Sequence, residues 1–301
     1  MQILETQTRQ GDASMLEYVE YLTPNDIKLL EIVSQSTSRV LDSPVALQDA
    51  LESNELYTLL FERKKEPLEL ASPFLVFLVL LNRVRQDLSF QPFVNEWVKP
   101  GVRIPVFDTK KLIEFTSKAH NRLSLAVLLD SYTKVSSGTV WLKSGRRWRK
   151  TRYSELDPIR LSSLLDFVTE GEQFIIYKRL GDLSLFLTGI FPDYVGSRIL
   201  KNFEIRYLVR HFHHEDTVKL PDELTIHLKE DALSNPYELL SWIGQRSYLR
   251  AHEMAKARSL RAADDLYVLA EQFVNARRTL NVMTDKYLFV RRNTWFSISD
   301  N

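Results

Sequence analysis

Apolar residues recur every three or four positions over most of this chain, and the runs start at a repeated signal. Thr23-Pro24, Ser43-Pro44, Ser72-Pro73, Asp157-Pro158 and Asn235-Pro236 each place a capping side chain ahead of a proline. The cap accepts from an otherwise orphan amide, and proline at the first helical position forfeits no hydrogen bond. Behind Pro24 come Ile27, Leu29, Leu30 and Val33; behind Pro44, Leu47, Leu51, Leu56 and Leu59. Pro158 precedes Leu161, Leu164, Leu165 and Val168, and Pro236 precedes Leu239, Leu240, Ile243 and Leu249. Such spacing marks one face of a helix. After Pro73 the run "FLVFLVLL", Phe74 to Leu81, is apolar on every side. It is too short for a membrane span, which needs about 20 apolar residues, so it predicts a buried core helix.

Further helices are predicted at 110–117, 121–135, 173–191 with a break at Gly181, 195–213 and 262–284. Alternation of period two is rare. Its clear case is "TVWLKSGRRWRKTRY", Thr139 to Tyr153, with weaker cases at Arg103–Phe107 and Lys286–Arg292. The expected fold is therefore mainly α: a multi-helix globular fold with one small β-hairpin, about 139–153, and a short extra strand. "KPGVRIPVFD", Lys99 to Asp108, is the best boundary. The expected division is an N-terminal helical region, 1–98, and a helical region, 99–301, bearing the basic hairpin and packed against the first. The closing aromatics Tyr287, Phe289, Trp295 and Phe296 are expected to dock on the chain's own core, because large exposed apolar patches are rare.

Composition narrows the chemistry. Among 301 residues there is no cysteine, which excludes disulfides, thiolate metal sites and thiol catalysis. The polar stretch Met1 to Met15 has no apolar leader core, and a cytoplasmic protein with no membrane association is expected. Phosphate-cradling glycine loops, a GxSxG elbow and kinase or deaminase patterns are absent from the sequence. No cofactor is predicted. "HFHH", His211 to His214, invites a metal reading, but no second histidine cluster accompanies it. Histidines also suit the C-terminal end of the predicted 195–213 helix, so no metal site is predicted. Asp182 is expected at the head of an apolar helix, where its charge favours the N-terminus, beside Lys178 and Arg179.

Charge is what singles out one segment. The chain is nearly neutral, at +1, yet residues 101–160 carry 13 Lys/Arg against 5 Asp/Glu. Six of those cations fall between Lys143 and Arg152, with no acid among them. A two-residue turn at Ser144-Gly145 pairs Trp141 with Trp148 across the ribbon, flanked by Lys143, Arg146 and Lys150. Lys143, Arg146, Arg147, Trp148, Arg149, Lys150 and Arg152 then form a candidate nucleic-acid-binding set: cations for phosphates and an indole for a base. Arg246, Arg250 and Arg258 form a second basic patch on a predicted helix. The expected function is non-enzymatic binding of a polyanion, DNA or RNA. The alternative is assembly, with the hairpin docking on an acidic protein or a second copy; the lesser alternative is an enzyme of unfamiliar type around Asp182 or His211–His214. A structural hairpin whose tryptophans pack on helices stands against all three.

Overall fold

The computed structural model describes residues 18–34, 43–62, 66–99, 101–135, 137–144, 147–198, 235–288 and 292–296. For residues 99, 137–144, 147–149, 151–153 and 196–198 the description is of the backbone. The fold is mainly α, as expected. Two compact units emerge, residues 1–91 with 116–133, and 92–115 with 134–301. The sequence pattern did not foresee that 116–133 groups with the N-terminal helices.

In the first unit the caps act as predicted. Helix α1, Pro24–Val33, opens on a reciprocal box between Thr23 and Asp26. The fully buried Asp26 carboxylate also accepts from the Ser72 amide at 2.8 Å, tying the start of α1 to the turn ahead of Pro73. The run after Pro44 is two helices, not one: α2, Pro44–Glu52, and α3, Asn54–Phe61. Ser53 ends the first and caps the second, accepting from the Leu56 amide. A short α4, Glu66–Leu70, follows, and then α5, Pro73–Leu88. Phe74 to Leu81 are all at most 3% exposed, so the apolar run is the core helix expected. Each such side chain contributes about 1.5–3 kcal/mol on burial. Among the described residues no helix is long and apolar enough to cross a membrane.

Helix α6 is Lys110–Ser117 and α7 is Ala119–Ser131. From α7, the buried Arg122 donates to Asn82 Oδ1 at 2.7 Å, to the Thr116 and Ser117 carbonyls, and to Glu52. Glu52 also accepts from Arg85 at 2.8 Å. Burial pulls the Arg122 pKa down, against the opposing pull of Glu52. All three nitrogens of this guanidinium donate inside the unit, in four hydrogen bonds.

In the second unit, α8, Pro158–Ser162, passes into a 3-10 turn, Ser163–Asp166, shorter than the apolar spacing suggested. Helix α9, Glu170–Ile190, runs without the break expected at Gly181. That glycine is a packing notch: a Cβ there would meet the Tyr248 ring at 2.6 Å. Tyr248 lies on α11, Pro236–Ala257, and Gly244 of the same helix leaves room for Phe273 and Ser184. Two helices meeting at glycines approach closely, and each ring takes the space a Cβ would fill.

Helix α10, Pro192–Arg198, starts the element expected at 195–213, most of which lies outside the described residues. The stretch 262–284 divides at Gln272 into α12, Ala263–Glu271, and α13, Phe273–Met283. Lys286 to Leu288, expected in a strand, belong to a π turn, Thr284–Leu288, and α14 is Arg292–Phe296. Phe296 is 1% exposed and packs edge-on against Phe186 and Phe191, which realises the expected own-core docking. Tyr287 and Trp295 are half-buried, and Phe289 is outside the described residues.

Two antiparallel ribbons complete this unit. β1, Val94–Lys99, pairs with β2, Val102–Val106, the predicted extra strand; its partner "VNEWVK" was not predicted. β3, Ser137–Ser144, pairs with β4, Arg147–Ser154, the predicted hairpin.

Candidate nucleic-acid interface

The β3–β4 ribbon pairs Ser144 with Arg147, Lys143 with Trp148, Leu142 with Arg149, Trp141 with Lys150, Val140 with Thr151 and Thr139 with Arg152. This corrects the expected register. Residues 145 and 146, not Ser144-Gly145, connect the strands, and Trp141 lies opposite Lys150 rather than Trp148. Both loops contain Gly145, and both are two residues long, so turn chemistry alone does not distinguish them. The observed one keeps eight residues in each strand.

The slip is two residues, and an even slip preserves the faces because side-chain direction alternates with period two. Positions 139, 141, 143, 148, 150 and 152 therefore share one face: Thr139, Trp141, Lys143, Trp148, Lys150 and Arg152. Each tryptophan has a lysine directly across from it, and the two tryptophans are diagonal neighbours. Arg147 and Arg149 share the other face with Val140, Leu142 and Thr151. Lys150 is exposed. Arg146 lies outside the described residues. Trp141 stays on one face with Trp148, as the expected pairing had it, but with a different residue across from it. Trying both glycine-containing loops would have revealed its lysine partner.

The second basic patch is not an open cationic stripe. Arg246 stacks over Trp242, 5.2 Å from the ring centroid. Arg250 pairs with Glu253 at 3.1 Å. Arg258 ends α11 and donates to the Gly171 carbonyl at 2.9 Å and to that of Glu170. The arginines further on are more tightly engaged. Arg277, 3% exposed, donates to Glu96 Oε1 and to the Ser241 hydroxyl, both at 2.6 Å, and lies over the Tyr237 ring. Arg278 takes the other Glu96 oxygen. Burial pushes the Glu96 pKa up, but the Arg278 hydrogen bond and the Arg277 charge more than offset it, leaving the carboxyl below its usual range. Burial pushes Tyr237 up to about 12. Arg292 forms a two-pronged pair with Asp193.

Of the two candidate enzymatic centres, only Asp182 lies among the described residues. Asp182 sits in the middle of α9, not at a helix head, because the helix does not break at Gly181. It accepts from Lys178 Nζ at 2.7 Å and from the Tyr248 hydroxyl at 2.9 Å. Arg179 turns to Glu155 instead. One Asp182 oxygen is thus held within α9, and the other bridges α9 to α11. His211 to His214 lie outside the described residues, and among the described residues no group of three or more ligating side chains fits a metal ion. Comparison with protein-family models, with curated proteins and with solved structures finds no match.

Proposed function

We propose that this protein binds a polyanion, DNA or RNA, through the β3–β4 ribbon, acting by binding rather than catalysis. The observation that carries the reading is the ribbon itself: two paired strands and their connection hold six cations and no acid, with both tryptophan positions on one face. The contribution expected of Arg246, Arg250 and Arg258 is dropped, since each is engaged within the unit. Lys143, Arg146, Arg147, Arg149, Lys150 and Arg152 neutralise phosphates, and the released counterions supply the affinity. A cytoplasmic setting accords with the lack of cysteine.

The test is salt-dependent binding of a mixed-sequence oligonucleotide to the full chain. Six engaged cations give a slope of log affinity against log salt of about −4 for a single strand and about −5 for a duplex. Removing Arg147 and Arg149 together flattens that slope by between about 1.4 and 1.8 while leaving the melting temperature unchanged. An oligomer whose light scattering is indifferent to nucleic acid replaces this reading with assembly. Unchanged affinity in the double variant removes the hairpin from it.

A further inference from the structure

We infer that the ligand of this ribbon is single-stranded nucleic acid, with unpaired bases stacking at Trp141 and Trp148, rather than a duplex. The inference rests on the polyanion reading and adds to it the strandedness of the ligand. Its basis is the register. The face holding both tryptophans holds Lys143 across from Trp148, Lys150 across from Trp141, and Arg152 one step beyond. Aromatic and cationic positions alternate along both strands there: 141 then 143, and 148 then 150. Diagonal neighbours on such a ribbon are about 7–8 Å apart, so positions 141 and 148 are offset along the strand direction, each directly across from a lysine position. A single strand offers a repeat of the same kind, a base followed by a phosphate.

A duplex offers the wrong surface to this face. Its bases are stacked on one another, and only their edges line the grooves. Edges are read by hydrogen-bonding side chains such as Arg, Asn and Gln, whereas indole has one donor and no acceptor. A ring is useful chiefly where a base face is open, and stacking tolerates every base. Arg147 and Arg149, which suit edges or phosphates, are on the opposite face, away from the aromatic positions. The aromatic–cation alternation is confined to one face, and that asymmetry points to the bases of one strand meeting that face, while the phosphates flanking them reach Arg147 and Arg149 around the narrow two-stranded ribbon.

The experiment compares a short oligothymidylate with a mixed-sequence duplex of equal length, binding to the full chain at one low salt concentration. Single-strand affinity higher by about tenfold or more is expected. Trp141→Leu and Trp148→Leu each keep an apolar side chain and remove the ring; each is expected to weaken oligothymidylate binding by about 5- to 150-fold with little effect on the duplex. Trp→Phe at the same positions retains a ring and most of the affinity. Equal binding of both nucleic acids with both Leu variants neutral overturns the inference and leaves polyanion binding standing. Failure to bind either nucleic acid at low salt overturns both. A loss in the Leu variants matched by equal losses for the duplex and in melting temperature also overturns it, because the rings then pack rather than stack.

Discussion

The two ribbons of the second unit are built alike and close differently. Each is a two-stranded antiparallel hairpin with a tryptophan directly across from a cation: Trp97 faces Arg103 in β1–β2, and Trp141 faces Lys150 in β3–β4. In β1–β2 Arg103 and Glu96 are used internally. Arg103 lies over the Trp97 ring, 4.2 Å from its centroid, and pairs with Asp285 at 2.8 Å. Glu96, one residue before Trp97, is clamped by Arg277 and Arg278. Trp97 is 9% exposed, and the Asn235 amide donates to the Val98 carbonyl at 2.9 Å. This ribbon is a structural strap. The β3–β4 ribbon brings six cations and no acid of its own. A ribbon that sets a tryptophan across from a cation is thus not a binding element by composition alone, since β1–β2 has the same pairing and serves its own unit.

The sharpest way to break this contrast is to open the closed ribbon. Glu96→Ala leaves the buried Arg277 with the Ser241 hydroxyl, the Tyr237 ring and a 3.7 Å contact to Glu238, and is expected to cost about 3–5 kcal/mol in a urea titration. The same carboxylate predicts an acid limb. Its folded pKa lies below the ordinary glutamate value, so its stabilisation is complete above about pH 4.3 and is lost as pH falls through the lower folded value. Glu96→Gln should flatten that limb of the stability profile. Next in size is Arg103→Ala, which removes a stacked cation and one ion pair, for about 1–2 kcal/mol.

Smaller again is Gly101→Ala. Gly101 holds φ of +71° between β1 and β2, and any other side chain is strained there by about 1–2 kcal/mol, seen as a lowered denaturation midpoint. Smallest is the β3–β4 ribbon. Arg147→Ala with Arg149→Ala should move stability by no more than about 0.5 kcal/mol, although the same pair weakens oligonucleotide binding. A large stability loss there would make β3–β4 a second strap and end the comparison.

The sequence by itself determined what acts over a few residues. The cap-proline pairs fixed five helix starts, the apolar run after Pro73 fixed the central helix of the first unit, and period-two alternation located the β3–β4 hairpin. These signals are local hydrogen bonds and local burial, complete within one or two turns. Tertiary structure decided the rest. What Gly181 is for, a packing notch inside a continuous α9, depended on the ring of Tyr248, which arrives from 67 residues away. Which arginines are neutralised depended on pairs such as Arg277 with Glu96, 181 residues apart, and no spacing rule reaches that far. The hairpin register was also underdetermined, since two adjacent two-residue loops share one glycine. Local chemistry allows both, and the choice belongs to the pairing of whole strands.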